Sequence, residues 1–253
     1  MKLVMSVLCA AAVLAPSVQA QVSLENSFGR LSAQIVQDGP KPLPPLEAAR
    51  AVIAAALETM RTRYEVAPRL FQSLRAAGGS VDARLGQAEL CVLTEKTAEG
   101  VASPLILCSE AIGKKPRDYA VFYISEQIGR LVAAGMPECV EKDYMAVSLA
   151  ARSWIEVGGQ LMADRAAADR LQEWWGAFGM ATFVARREAF GQPSLAGLLA
   201  ANLRAQKAPG RSPAELAKLQ AEEKSLRDFQ AQAAAFASDE ADWLKKWNTL
   251  DPL

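Results

Sequence analysis

The sequence predicts an α+β fold, predominantly helical, with one small β-hairpin at about 90–108 packed against a buried helix at about 118–135 and followed by a helical C-terminal half. Three observations carry that reading. Apolar residues recur at helical spacing in most segments from Leu46 to Trp247. A single stretch breaks the pattern, Leu90-Cys91-Val92-Leu93-Thr94 answered by Ser103-Pro104-Leu105-Ile106-Leu107-Cys108, and reads as two paired strands. Between Asp118 and Gly135 apolar side chains surround most of the helix, which marks it as central.

Residues 1–20 have the form of a signal peptide. Lys2 supplies the positive end, Leu3 to Ala15 the apolar core, and Val18-Gln19-Ala20 the cleavage signal before Gln21. Leu8 ahead of Cys9 is too large for lipid attachment there. The expected location is therefore the periplasm or the exterior, with no transmembrane span after cleavage. Residues 21–45 form an extended, Pro-rich lead-in ending at Pro44-Pro45, residues 46–210 the main helical domain, and residues 211–253 a C-terminal helical appendage.

Within the main domain, Leu46, Ile53, Leu57, Met60 and Tyr64 make one stripe of a helix near 46–64. A short helix carrying Leu70, Phe71 and Leu74 stops at Gly78-Gly79. If the hairpin loop is Glu99-Gly100, the register runs outward to Cys91 opposite Cys108 at a non-hydrogen-bonded pair, where a disulfide fits. A longer loop with a shifted register, a Cys108–Cys139 bond, or three buried thiols are the open alternatives. Asp118 reads as the cap of the next helix, and Gly129 as a place where another backbone comes close. A helical region at 141–176 is interrupted at Gly158-Gly159, and further helices fit 178–190 and 194–206. Ser212-Pro213-Ala214-Glu215 is a capping box that opens a helix reaching Ala237, and Ser238 reads as the cap of a last helix with Trp243 and Trp247.

Composition removes much chemistry. The chain of 253 residues has no histidine, so it has no Ser-His-Asp triad and no His-ligated metal. Its 28 basic and 28 acidic residues balance, which argues against nucleic acid as a partner. No cofactor and no metal is expected.

Polar residues in the central helix are the candidate site. Glu126 and Arg130 lie four apart on one face with Gln127 beside them, an arrangement that an internal ion pair explains. The order of elements, a strand pair, a buried helix with a polar step and then another helix, resembles the zincin metallopeptidases, whose first helix carries His-Glu-x-x-His. Glu126-Gln127-Ile128-Gly129-Arg130 is similar to that motif with the Ile-Gly spacer kept. Gln160-Leu161-Met162-Ala163-Asp164 resembles the Glu-x-x-Ala-Asp of M48-like gluzincins. The resemblance covers residues 90–164. It places Glu126 and Arg130 where the histidine ligands stand, Gln127 at the general base and Gln160 at the third ligand, with Asp164 closing the second motif. With none of those groups retained, it implies a pseudoenzyme that binds a protein or peptide without cutting it.

Two other classes stand beside it. Glu156, Gln160 and Asp164 recur every four residues, and a carboxylate stripe of Glu156 and Asp164 facing Glu126 would suit a cell-wall hydrolase, with Trp154, Trp174 and Trp175 stacking on sugars. Trp174 and Trp175, being adjacent, cannot share one helix face. The third class is a helical periplasmic scaffold, a possible oligomer through its C-terminal helix, where Leu219, Leu226 and Ala233 form a heptad line.

Overall fold

The computed structural model describes residues 42–62, 64–98, 101–159 and 164–249. The signal peptide, most of the Pro-rich lead-in, the Glu99-Gly100 turn and Gln160 lie outside the described residues. The chain is mostly helical with a small mixed sheet. Helices α1 (Pro45–Thr62) and α2 (Val66–Ala76) precede strands β1 (Ser80–Arg84), β2 (Cys91–Ala98) and β3 (Val101–Ser109). A 3-10 turn at Glu110–Lys114 leads into α3 (Arg117–Val132), α4 (Val140–Glu156), α5 (Arg165–Ala177), α6 (Met180–Ala189), α7 (Leu195–Gln206) and α8 (Pro213–Thr249).

The hairpin has the register counted from a two-residue loop, with Ala98 opposite Val101 and Cys91 opposite Cys108. Those cysteines form the disulfide, with Cα atoms 4.1 Å apart, close to the spacing of a non-hydrogen-bonded pair. Cys139 is a buried free thiol, pushed up from its ordinary pKa by that burial. The sheet also has a third strand that the sequence reading lacks. Strand β1 runs parallel to β3, so β3 is central and β2 is left as an edge. Ser80–Arg84 does alternate, with Val81 and Ala83 inward between polar residues, but over five residues with only Ala83 buried the signal is short, and the sequence reading passes over it.

Two apolar cores meet at α3 and α4. One gathers α1, α2 and the sheet around Ile106, Ile124 and Ile128, and the other gathers α4 to α8 around Tyr144, Trp174 and Phe183. Gly129 lets the central helices touch, since a Cβ there would lie 2.8 Å from the Ala146 Cα. Asp118 does not cap α3. Pro116 holds that position, and Asp118 accepts from the Trp154 indole at 3.1 Å instead.

Helix α4 ends at Glu156, where Gly158 takes a φ of 83° that a side chain would strain, and Asp164 caps α5 by accepting from the Ala167 N–H at 3.2 Å. The capping box at α8 closes from both sides: Ser212 N–H donates to Glu215 at 2.8 Å and Glu215 N–H to Ser212 Oγ at 3.3 Å. Ser238 caps nothing, for α8 runs unbroken through it over 37 residues, its inward stripe continuing from Ala233 to Glu240 and Trp243. Among the described residues no helix is long and apolar enough to cross a membrane.

Candidate functional site

Tyr123, Glu126, Gln127 and Arg130 are spaced i, i+3, i+4, i+7 and so share one face of α3. That face and the edge strand β2 enclose a groove of about 730 Å³, to which Leu93, Lys142 and Arg170 also contribute. Counting from the hairpin loop, the N–H and C=O groups of Cys91, Leu93, Glu95 and Thr97 point away from β3. Gln127 takes one of them, its Oε1 accepting from the Leu93 N–H at 3.1 Å. The central helix is thus stitched to the sheet edge by the amide that the zincin resemblance puts at the base position.

Glu126, only 6% exposed, is held by two guanidinium groups. Arg130 Nη2 donates to Glu126 Oε1 at 3.4 Å and to Asp143 Oδ1 at 2.9 Å. Arg170 Nη2 stands 2.8 Å from the same Glu126 oxygen and donates to Asp143 at 3.1 Å. Two acids and two bases from α3, α4 and α5 therefore alternate in one square. Burial works against the charge of Arg170, but Glu126 and Asp143 outweigh it and hold its proton more tightly than usual. Arg187 extends the cluster to α6, 3.9 Å from Asp143 and bound to both oxygens of Glu173.

The i,i+4 pairing of Glu126 and Arg130 is where the spacing puts it. Asp143 and Arg170 come from other helices; Arg170 reads from the sequence as an ordinary ion-pair partner for nearby acids, but no local spacing links either residue to Glu126. Lys142 reaches Glu138 at 2.6 Å across an i,i+4 pair on the far wall, a signal that was there to be read.

The carboxylate stripe does not assemble. Because α4 stops at Glu156 and Asp164 opens the next helix, the two are not on one helical face. Asp164 accepts from Lys115 Nζ at 2.6 Å and from the Tyr123 hydroxyl at 2.7 Å, which leaves it behind the groove wall. Burial raises the Tyr123 phenol, and its bond to Asp164 adds to that. Glu156 turns elsewhere, to the N-terminus of α2, where it accepts from Val66 N–H at 2.9 Å, Ala67 N–H at 3.1 Å and the Trp243 indole at 2.9 Å.

The chemistry of the square is clear from its donor set. A guanidinium has no lone pair for a metal, and an amide does not accept a proton at neutral pH. A cation beside Glu126 would face Arg130 and Arg170, so the residues do not fit the zinc of the family they resemble. Among the described residues no group of three His, Cys, Asp or Glu side chains is placed to hold a metal ion. Comparison with family models, with curated proteins and with solved structures finds no match for this chain.

Proposed function

We propose that this chain is a noncatalytic exported protein whose peptidase-like groove binds an extended segment of a protein or peptide partner. One observation carries the reading: every charged or amide group on the α3 stripe is committed to a protein partner, while the outer edge of β2 faces an open groove. The α3 stripe of that groove holds no uncommitted general base, and apart from the Leu93 N–H the outward groups of β2 are left for another strand to pair with. The disulfide supports an oxidising compartment, and cleavage near Ala20-Gln21 is the matching proposal for how the chain gets there.

The test is selection of extended peptides on the mature protein, followed by amide exchange on the complex. Binding protects the amides of Cys91 and Glu95. Glu95→Pro removes an outward donor without breaking the ladder to β3, so it abolishes binding while leaving the folded spectrum intact. Stoichiometric zinc in the purified protein, or cleavage of the selected peptides that a chelator stops, would overturn the proposal.

A further inference from the structure

Phe178 stands where a helix normally ends in glycine. It follows α5 with a φ of 54°, in the left-handed region that is unfavourable for a bulky side chain, and 88% of it is exposed. Its ring lines a cleft of about 230 Å³, together with Tyr144, Trp174, Trp175, Glu240 and Leu244. Trp174 and Trp175 are tilted by 57° with centroids 5.8 Å apart, so they meet as a corner rather than a stack. Tyr144 and Trp174 turn their polar ends to Glu240, the hydroxyl at 2.6 Å and the indole N–H at 2.9 Å, and so give the cleft ring surface without a free donor.

Glu240 supplies the charge. It is 2% exposed and accepts from Tyr144, Ser148 and Trp174, all of them neutral. The buried cation of this region, Arg152, donates instead to Asp239 at 2.9 Å and lies over the rings of Phe236 and Trp243. No described lysine or arginine lines the cleft. Neutral donors hold the carboxylate in place but do not cancel its charge, and the faces of aromatic rings are themselves negative. The lining therefore favours a cation. Hydrogen bonding decides which kind. A primary ammonium has three donors and would give up its water in a cleft whose one carboxylate is already bound by three groups. A quaternary ammonium has no donor to strand and needs only charge and ring faces.

We propose that this cleft binds a quaternary ammonium group, held among Tyr144, Trp174, Trp175 and Phe178 and facing the charge of Glu240. A cavity of roughly 150 Å³ already accepts a benzene ring, and a trimethylammonium group is of similar size, so the cleft has room for it. The unfavourable backbone of Phe178 is then what sets the fourth aromatic wall. Free choline and the headgroup of a phosphatidylcholine bilayer present the same chemistry to such a site. The cleft shares no residue with the groove, and the two readings fail separately.

Calorimetric titration of the purified protein at constant ionic strength tests the site. Tetramethylammonium and choline bind saturably with a Kd of about 1 mM or below, whereas methylammonium and dimethylbutanol, the uncharged carbon isostere of choline, bind roughly tenfold more weakly or worse. Trp175→Ala, at a position 59% exposed, leaves the fold intact and weakens choline by roughly tenfold. Glu240→Gln keeps an acceptor and removes the charge, so it weakens choline by about the same factor and leaves dimethylbutanol unaffected. Cosedimentation with phosphatidylcholine vesicles separates the two sources. Vesicle binding that choline displaces supports the site and assigns it to a lipid headgroup, and choline binding without vesicle binding supports it for the free cation. Three results overturn the proposal: no saturable choline binding, dimethylbutanol binding as tight as that of choline, or a choline affinity indifferent to Trp175→Ala, a variant that folds whether or not Glu240→Gln does.

Discussion

Glu126 and Glu156 lie on neighbouring central helices, are 6% and 2% exposed, and are satisfied in opposite ways. Glu126 meets guanidinium groups on the wall of an open groove. Glu156 meets no cation at hydrogen-bonding distance among the described residues, only neutral N–H donors at the start of α2 and on Trp243. Glu141 and Glu240 follow the second manner, one accepting from the Leu195 N–H at 3.0 Å at the start of α7, the other from Tyr144, Ser148 and Trp174. Neutral donors fix a carboxylate by direction; Glu156 serves a helix start with no side-chain cap of its own, and Glu141 adds to the Ser194 cap of α7. Ion pairs at a groove exchange partners and admit water. The first kind belongs to the scaffold, the second to the wall of an open groove.

The largest effect expected from this contrast is on stability. Glu156→Ala strands the buried donors of the first turn of α2 and the Trp243 indole on the wall of a pocket of about 400 Å³, at a loss of about 4 kcal/mol in urea unfolding. Glu126→Ala leaves Arg130 and Arg170 with Asp143 and with groove water, at a loss of about 1.5 kcal/mol that shrinks further in salt. Equal losses for the two variants would erase the distinction.

How much of this was legible follows the range of each interaction. The hairpin register, the helix α8 capping box and the Glu126–Arg130 pair are local, and spacing alone places them. The break after Glu156 is marked by Gly158-Gly159, yet its consequence, that Asp164 becomes a cap rather than the next step of a stripe, is not. Long-range partners leave no trace in spacing: Asp143, Arg170 and the role of Glu156 at a helix start 90 residues away all depend on how helices cross. Ser238 misled for a related reason. An exposed serine reads as a cap until the buried Glu240 and Trp243 are known to extend the stripe beyond it.

A smaller effect sharpens the groove side of the comparison. Gln127→Leu removes the acceptor of the Leu93 N–H, costs about 1 kcal/mol, and speeds exchange of that amide by roughly fivefold. Gln127→Glu keeps an acceptor at the same reach and so keeps the protection, which separates the hydrogen bond from the mere bulk of the side chain. Unchanged exchange at Leu93 in the leucine variant would mean that Gln127 does not hold the strand.

Asp164 lies between the two kinds, since it accepts from a lysine, a phenol and a backbone N–H, and it gives the smallest effect. Burial pushes its carboxyl up, but Lys115, Tyr123 and the Ala167 N–H together outweigh burial and hold it below the ordinary value of 3.8. A carboxyl depressed in the folded state binds its proton less readily than in the unfolded chain. Its contribution is therefore fully present above the unfolded value and is lost as pH falls through the folded one. Asparagine caps a helix as well as aspartate does, so Asp164→Asn keeps the cap and removes the charge. At neutral pH the variant is less stable by about 1 kcal/mol, and the gap closes below about pH 4 as the wild-type carboxyl takes up its proton. Urea midpoints for both proteins across the acid range measure that closure. A gap that persisted unchanged at the lowest pH would place the value of Asp164 in geometry alone, on the same footing as Glu156.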